Sequence, residues 1–344
     1  MRSNPVVFKF KAVYNCAEFS NLFTRTGIIM KPFIVVSDGF DKSLFNQLVS
    51  IEELQVHPKS KVPPEELEKL LPKLNGLVIR SATTVTAELL EKAPNLKYVI
   101  RAGEGTDNID KVACQKKGVK VSNTPGSNSN SAAEQAIALM MTVLRKTAFA
   151  HASIKAGKWE KALFNGNELW KKTVGFVGFG KIAQIVAQRI SGFEPRVLFY
   201  DPVVKQSSLS YAKQAATLDE VFKNSDIVTI HVPLAPKTKD LVNQTYLEMM
   251  KPDAILINCA RGGIVNEDDL YVHLKEKNIK GAGFDVFKDE PLPANSKLLS
   301  LDNLVMTPHL GASTDEAQLR VGEMAMHQLQ EFFLKNNLLN EVRA

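Results

Sequence analysis

Cysteine is scarce in this 344-residue sequence, where only Cys16, Cys114 and Cys259 occur, far apart from one another. Such an odd and scattered set forms neither a disulfide framework nor a zinc-binding cluster, and it favours a reducing, cytoplasmic setting. Long apolar runs are also missing, since none approaches the roughly 18 residues that a membrane span requires. With 44% hydrophobic and 23% charged residues, the sequence fits a globular protein of about two domains.

A strong excess of one charge is likewise absent from most of the sequence. The formal net charge is +6, but residues 1–31 hold five lysines and arginines against one acid, which leaves +2 for the rest. A nucleic-acid-binding face is therefore not expected.

The leading segment, residues 1–30, is basic, poor in acids and without a clear period. Three interpretations stay open: an extension that the fold does not need, an organelle transit peptide, or a folded element. We exclude this segment from the fold prediction.

Short β-rich apolar runs alternate with helix-period segments from residue 31 onward, in two series. The first series has its runs at residues 31–38, 54–58, 76–81, 97–103 and 119–123. The runs of the second series are "TVGFVGFG", "RVLFYD", "DIVTIHVP", "AILINCA", "GAGFDVF" and "NLVMTPH". Continuous apolar strands between helices indicate parallel sheets covered on both faces. We predict an α/β protein with two doubly wound parallel-sheet domains.

Two longer helical segments stand at the ends of the second series. "SNSAAEQAIALMMTVLRK" contains Ser131 and Glu134, and the closing segment "STDEAQLRVGEMAMHQLQEFFLKNN" opens with Ser313 and Glu316. Each pair has the spacing of a capping box at a helix start. We expect the first helix to connect the domains and the second to pack back on one of the sheets.

A glycine pattern, G-x-G-x-x-A, follows the first strand of the second series and opens a helix. Gly178 would permit the tight turn, Gly180 would let a pyrophosphate approach the backbone, and Ala183 would let helix pack on strand. Asp201 ends the next strand, where a carboxylate accepts hydrogen bonds from ribose hydroxyls and repels a 2′-phosphate. NAD is therefore expected rather than NADP. The alternative is a plain strand-to-helix turn with a surface aspartate.

Charged side chains stand at the carboxyl ends of several predicted strands, where open parallel sheets bind their ligands. Arg80, Arg101 and Arg261 end or follow such strands, and Asp285 ends another. The planar guanidinium fork matches carboxylate and phosphate groups, so the pattern indicates a small anionic substrate. For each arginine alone, a surface ion pair is the alternative.

Glu290 and His309 lie just past strands of the second series. A carboxylate bonded to one ring nitrogen fixes the imidazole tautomer, while the other nitrogen faces the substrate, as reversible proton transfer requires. The alternative is a helix-cap histidine beside a solvated run of charge.

Taken together, these motifs resemble the D-2-hydroxyacid dehydrogenase superfamily, and within it most closely the D-3-phosphoglycerate dehydrogenases. The resemblance covers nearly all of residues 31–335 and rests on "VIRSATTVT", "DNID", "NTPGSNSNSAAE", "GFVGFGKIA", "HVPLAPKTKDLVN", "NCARGGIVNEDDL", "FDVFKDEP" and "PHLGAST", in the family's order. It implies a Rossmann NAD-binding domain, residues 126–310, inserted in a flavodoxin-like substrate domain of residues 31–125 and 311–344.

The resemblance also implies roles for individual residues. Arg261 would grip the substrate carboxylate and polarise C2, His309 would exchange the proton of the C2 oxygen, and Glu290 would support the imidazolium. Asp285 would hold the nicotinamide end of the cofactor, and Cys259 would be a backbone contact. The implied cofactor-binding set is Gly178, Gly180, Lys181, Ile182, Asp201, Val232, Pro233, Cys259, Ala260, Asp285, His309 and Gly311. The implied substrate-binding set is Arg80, Ser81, Arg101, Asn128 and Arg261.

The implied activity is NAD-dependent oxidation of 3-phospho-D-glycerate to 3-phosphohydroxypyruvate, the first step of serine biosynthesis. Two alternatives stay open: reduction of glyoxylate, hydroxypyruvate or another 2-keto acid, and a non-catalytic NAD-sensing partner protein. One departure is Glu104, where the family more often has a small neutral residue. An acid there would repel a phosphate or alter a cofactor contact.

Assembly and regulation are further implications of the resemblance. The connector helix and the following "AFAHASIKAGKW" match the region through which relatives dimerise, so a homodimer is expected. Longer relatives append a serine-binding domain after the closing helix, and direct feedback by serine is therefore not expected here.

Overall fold

Five short parallel strands form one sheet in the computed structural model of the chain, which describes residues 30–344. The interpretations of residues 1–30 thus lie outside the described residues, except for Met30. The strand order is β2-β1-β3-β4-β5, the flavodoxin-like arrangement expected for the first series. Its strands are β1 (Phe33–Val36), β2 (Gln55–Val56), β3 (Gly76–Ile79), β4 (Tyr98–Arg101) and β5 (Lys120–Asn123).

Seven parallel strands form the second sheet, in the order β12-β11-β10-β9-β6-β7-β8. The order reverses between β9 and β6, which is where a Rossmann sheet opens a crevice for a dinucleotide. The strands are β6 (Thr173–Val177), β7 (Arg196–Tyr200), β8 (Ala212–Gln214), β9 (Ile227–Ile230), β10 (Ile255–Asn258), β11 (Gly281–Phe284) and β12 (Leu304–Met306). The prediction of two doubly wound parallel-sheet domains is confirmed, although β8 was not among the predicted strands.

Helices cover both faces of each sheet. The central strands are therefore buried on both sides, and every residue of β9, β10 and β11 is buried. The helices are α1 (Lys42–Val49), α2 (Pro64–Leu70), α3 (Ala87–Lys92), α4 (Lys111–Lys116), α5 (Ser129–Arg145), α6 (Thr147–Lys155), α7 (Lys181–Arg189), α8 (Leu218–Asn224), α9 (Gln244–Met249), α10 (Glu267–Lys275) and α11 (Asp315–Lys335).

The first predicted capping box, at the start of α5, is wrong. This helix begins with Asn128 at its N-cap, because the Ala132 N–H already donates to the Asn128 carbonyl, at 3.0 Å. Ser131 therefore lies inside the helix, and Glu134 forms an ion pair with Arg189 at 2.8 Å.

The second predicted capping box, at the start of α11, is one residue out of place. The Ser313 N–H is already used in a turn, where it donates to the Leu310 carbonyl at 2.8 Å. Thr314 is the N-cap instead, and its hydroxyl accepts the Ala317 N–H at 3.2 Å.

The closing helix α11 packs on the first sheet, although it follows the last strand of the second. The Tyr98 ring of β4 stacks on Phe332 with centroids 4.2 Å apart. The chain therefore passes between the sheets twice, before α5 and before α11. At these crossings the Arg320 Nε–H donates to the Ser127 carbonyl at 2.9 Å, which ties the two passages together.

Within residues 30–344, none of the helices is both long enough and apolar enough to cross a membrane. In the same part of the chain, no three His, Cys, Asp or Glu side chains come together in a group that could hold a metal ion.

Candidate active site

Two cavities at the carboxyl ends of the strands meet at three residues: Arg101, His309 and Ala312. The first has a volume of about 490 Å³ and runs along the glycine turn of the second sheet. The second has a volume of about 670 Å³ and extends towards β3 and the start of α11. His309 is thus open to both cavities.

Most of the predicted cofactor residues line the first cavity. These are Gly180, Lys181, Ile182, Val232, Pro233, Cys259, Ala260, His309 and Gly311. Gly178, Asp201 and Asp285 do not line it, and each supports a residue or turn that does. The Cys259 thiol is not a reactive group, because burial and the nearby Asp285 carboxylate raise its pKa well above the usual value.

The glycine turn has the geometry that a dinucleotide site needs. Gly178 has φ +86°, and a Cβ there would lie 2.6 Å from the His231 carbonyl oxygen, so only glycine fits. Gly180 is the N-cap of α7 and has open space where a Cβ would point. A phosphate can therefore approach the N-terminus of α7 and the backbone N–H groups of its first turn.

Asp201, at the end of β7, holds this glycine turn in place. Its Oδ2 accepts the Phe179 N–H at 2.7 Å, and its Oδ1 accepts the N–H groups of Val203 and Val204 at 2.8 and 2.9 Å. Burial acts to raise the pKa of Asp201, but the three backbone donors outweigh it and lower the pKa. The carboxylate is therefore ionised at neutral pH, as the selection of NAD over NADP requires.

Unpartnered polar atoms beside the first cavity also fit a bound dinucleotide. Asn128 and Ser129 line this cavity, and their Oδ1 and Oγ atoms are buried without a hydrogen-bond partner among residues 30–344. Buried polar atoms normally have partners, so these two are suited to a ligand with donor groups. Asn128, predicted for the substrate, thus lines the first cavity rather than the second.

The predicted pair of His309 and Glu290 is in contact. The Nδ1 atom of His309 lies 2.6 Å from the Oε2 atom of Glu290, whose Oε1 accepts the Phe287 N–H at 3.0 Å. Burial acts to raise the pKa of Glu290, but the hydrogen bonds from His309 and Phe287 and the charge of Arg261 lower it below the usual value. An ionised Glu290 holds the proton on Nδ1, which leaves Nε2 of His309 for the substrate.

Asp285 positions the loop that carries His309. Its Oδ1 accepts the Thr307 hydroxyl at 2.6 Å and the Leu310 N–H at 2.8 Å, while its Oδ2 accepts the Gly311 N–H at 2.8 Å. These bonds hold His309 in a left-handed conformation with φ +53°. Asp285 is 0% exposed and supports this loop beside the first cavity, while its predicted role at the nicotinamide end of the cofactor stays a prediction.

The second cavity contains a concentrated positive charge. Arg80, Ser81 and Arg101 line it together with Glu290 and His309. Burial and the charges of Arg261 and Arg80 together lower the pKa of Arg101 to about 10, although Asp107 and Asp38 act to raise it. The Nε atom of Arg101 is buried without a partner among the described residues. An anionic ligand would satisfy this guanidinium, which is still charged at neutral pH.

Arg261 lines the first cavity rather than the second, close to their junction. Glu104 also lines the first cavity, where its Oε2 accepts the Gly126 N–H at 2.8 Å. The expected repulsion of a phosphate by Glu104 therefore does not apply to the second cavity, whose lining includes Arg80 but not Glu104.

Three contributors to the site escaped the sequence interpretation. Asp38 follows β1 and accepts the Arg80 N–H at 2.7 Å, Gln135 donates to the Thr307 hydroxyl at 3.0 Å, and Asp107 accepts from Arg261. Asp38 stands at a strand end, as the arginines do, so the same signal could have found it. Gln135 lies in the middle of a helix, and no local pattern marks it.

The model of the family "D-isomer specific 2-hydroxyacid dehydrogenase, NAD binding domain" matches residues 137–311, slightly more than half of the chain. The chain belongs to this family. The cofactor, NAD, and the class of enzyme, an NAD-dependent D-2-hydroxyacid dehydrogenase, agree with the predictions.

The chain is similar both to a hydroxypyruvate reductase and to D-3-phosphoglycerate dehydrogenases. A hydroxypyruvate reductase of Thermotoga maritima is 44% identical over 290 residues, which are 83% of this chain and 94% of that protein. A D-3-phosphoglycerate dehydrogenase of Methanocaldococcus jannaschii is 39% identical over 312 residues, 89% of this chain but only 59% of that longer protein.

A solved structure supports the fold over almost the whole chain. The NAD-dependent formate dehydrogenase from Staphylococcus aureus, in complex with NAD, is 30% identical with a TM-score of 0.80. The match covers 92% of this chain and 99% of that one.

Proposed function

We propose that this dehydrogenase oxidises 3-phospho-D-glycerate at C2 to 3-phosphohydroxypyruvate with NAD, as the first step of serine biosynthesis. The observation that carries the proposal is the position of Arg80 and Arg101 in the cavity that also contains His309 and Glu290. A substrate with both a carboxylate and a phosphate needs more than one guanidinium, and Arg261 supplies the third nearby.

In this reaction the residues of the chain would transfer the proton, bind the carboxylate and bind the phosphate. His309 accepts the proton of the C2 hydroxyl on Nε2, while Glu290 stabilises the resulting imidazolium through Nδ1. Arg261 binds the carboxylate and polarises C2, and Arg80 and Arg101 offset the phosphate charge. NAD bound in the first cavity would supply the nicotinamide carbon that accepts the hydride. The location of both cavities at the meeting of the domains favours exclusion of water.

A second candidate is the reduction of hydroxypyruvate or glyoxylate by NADH, for which His309 would donate the proton instead. It is favoured by the hydroxypyruvate reductase of Thermotoga maritima, which this chain matches over 94% of its length. Apolar side chains in the second cavity, among them Phe287, Leu292 and Met306, are also compatible with an uncharged substrate end.

Arg80→Ala separates these candidates. We expect the KM for 3-phosphoglycerate to rise about ten- to hundredfold, because a charge-assisted hydrogen bond to the phosphate is lost. The KM for glyoxylate should change less than about threefold, since glyoxylate has no second anion. Initial rates with both substrates measure this. The matched control is Arg343→Ala, which removes an arginine with an 83% exposed side chain outside both cavities. The reverse pattern would favour the second candidate.

We also propose that the protein forms a homodimer through α6 and the segment that follows it, in the cytoplasm. Four apolar side chains in this region are more than half exposed: Ile154 (53%), Trp159 (85%), Leu163 (61%) and Trp170 (52%). Several exposed apolar side chains within one short segment are typical of an interface.

Trp159→Glu should therefore convert the dimer to a monomer, because a buried unpaired carboxylate opposes association. Light scattering after size exclusion gives the mass, which is 38.1 kDa for one chain. Val272→Glu, which charges an exposed position on α10, is the control and should leave the mass of the wild type. A wild-type protein that elutes as a monomer at micromolar concentration would contradict this proposal.

A further inference from the structure

We propose that Asp107 is a positioning residue that holds the Arg261 guanidinium in the orientation that binds the substrate carboxylate. The inference rests on the proposed function only in assigning that carboxylate to Arg261. The Arg261 Nε–H donates to Asp107 Oδ2 at 2.7 Å. Asp107 follows β4 of the first sheet and Arg261 follows β10 of the second. Of the ion pairs that residues 30–344 form, this one joins the two sheets.

The remaining contacts of Arg261 leave one edge of its guanidinium for a ligand. Nη1 donates to the carbonyl of Ala260 at 2.7 Å. A guanidinium has five N–H donors in a rigid fork, so three remain, all on Nη1 and Nη2. Asp107 therefore occupies the Nε side and turns the opposite edge outward. Arg261 lines the first cavity, so we infer that these remaining donors are the ones that bind the carboxylate.

A glycine on the same loop makes this orientation possible. A Cβ on Gly105 would lie 1.7 Å from Arg261 Nη2 and 2.9 Å from Asp107 Oδ2. The guanidinium therefore packs against the bare backbone of the loop that carries Asp107. The loop after β4 thus contacts the guanidinium in two ways. Asp107 accepts the Nε–H, and the backbone of Gly105 packs against Nη2 because it carries no side chain.

Asp107 also reduces the electrostatic repulsion among the arginines of the site. Arg80, Arg101 and Arg261 repel one another, and a carboxylate beside Arg261 reduces this repulsion without filling the second cavity. The Asp107 side chain is 54% exposed, so its ion pair contributes little to the stability of the fold. Loss of Asp107 should therefore affect substrate binding much more than the melting temperature.

Steady-state kinetics of Asp107→Ala test the proposal, with NAD and 3-phosphoglycerate and separately with NADH and glyoxylate. We expect the KM for the carboxylate substrate to rise about tenfold or more, since a misoriented guanidinium loses part of its fork. The Kd of NADH should change much less than this KM, although Asp107 also lines the first cavity. Asp107→Asn keeps an acceptor oxygen for Nε–H and should recover most of the affinity. Gly105→Ala keeps the Asp107 carboxylate but should raise the same KM, because its Cβ would displace Nη2 and crowd Asp107 Oδ2.

A double-mutant cycle with Arg261→Ala separates positioning from a general structural effect. In the Arg261→Ala background, Asp107→Ala should change kcat/KM by less than about twofold, because no guanidinium remains to be oriented. Calorimetric titration of oxalate into the NADH complex gives a readout independent of turnover, and Asp107→Ala should weaken oxalate binding about tenfold. The control is Asp253→Ala, which removes an aspartate with a 91% exposed side chain that pairs with Lys280 at 3.5 Å.

Three results would each overturn the proposal: a full Asp107→Ala effect in the Arg261→Ala background, no recovery in Asp107→Asn, or unchanged oxalate binding. Because both 3-phosphoglycerate and glyoxylate are assayed, failure of the proposed function can be distinguished from failure of the proposed role of Asp107. If glyoxylate alone is turned over, the proposed oxidation of 3-phosphoglycerate fails, while the cycle measured with glyoxylate still decides the role of Asp107.

Discussion

We expect His309→Ala to lower kcat for NADH formation from 3-phosphoglycerate, the proposed substrate, by at least about a hundredfold, because Nε2 of His309 is the group placed to take the C2 hydroxyl proton. The imidazole is held from two sides, by the 2.6 Å contact with Glu290 and by the loop bonded to Asp285. Stopped-flow or steady-state absorbance at saturating substrate measures this loss. The KM should change far less, since His309 acts mainly in the transition state.

His327→Ala is the matched control for this variant. It removes a histidine with a 61% exposed side chain on α11, outside both cavities, and should retain wild-type kcat. A His309→Ala enzyme with more than about a tenth of the wild-type kcat would mean that another group transfers the proton.

Arg261→Ala should lower kcat/KM still further, roughly a thousandfold. Without the Arg261 guanidinium, the substrate carboxylate loses its binding partner. The charge that develops on the C2 oxygen also loses a neighbouring cation. Arg261→Lys retains the charge but not the planar fork, so we expect an intermediate loss. The comparison of both variants by kcat/KM with one substrate separates charge from geometry.

The control for Arg261 is Arg196→Ala at the exposed start of β7, which should leave kcat/KM unchanged. A loss of less than tenfold in Arg261→Ala would remove this residue from the catalytic set. In that case the role of Asp107 as its positioning partner would also lose its basis.

The fold and most of the site follow from local sequence patterns. Apolar strands between helices, the glycine turn and charged residues at strand ends are all short-range signals. Three of the residues that they marked, Arg101, Glu290 and His309, line the second cavity together. The Glu290–His309 pair could be expected because both residues follow strands of the same sheet.

What escaped prediction depends on contacts between distant parts of the chain. Asp107 and Arg261 are 154 residues apart, and their pair exists only because two sheets meet there. The split of the arginines between two cavities likewise depends on how the domains face each other. The support that the Asp285 carboxylate gives to the His309 loop also joins residues far apart in the sequence, and no local pattern reveals it.

The proposed substrate is tested by a set of initial rates for the wild-type enzyme. NAD with 3-phosphoglycerate, and NADH with hydroxypyruvate and with glyoxylate, are compared by kcat/KM at one pH. We predict NADH formation from 3-phosphoglycerate, with a kcat/KM well above that for either 2-keto acid, because Arg80 and Arg101 would bind the additional anion. Turnover of the 2-keto acids alone would contradict the proposed substrate. No turnover of any 2-hydroxy or 2-keto acid would contradict catalysis itself and favour a non-catalytic, NAD-sensing role.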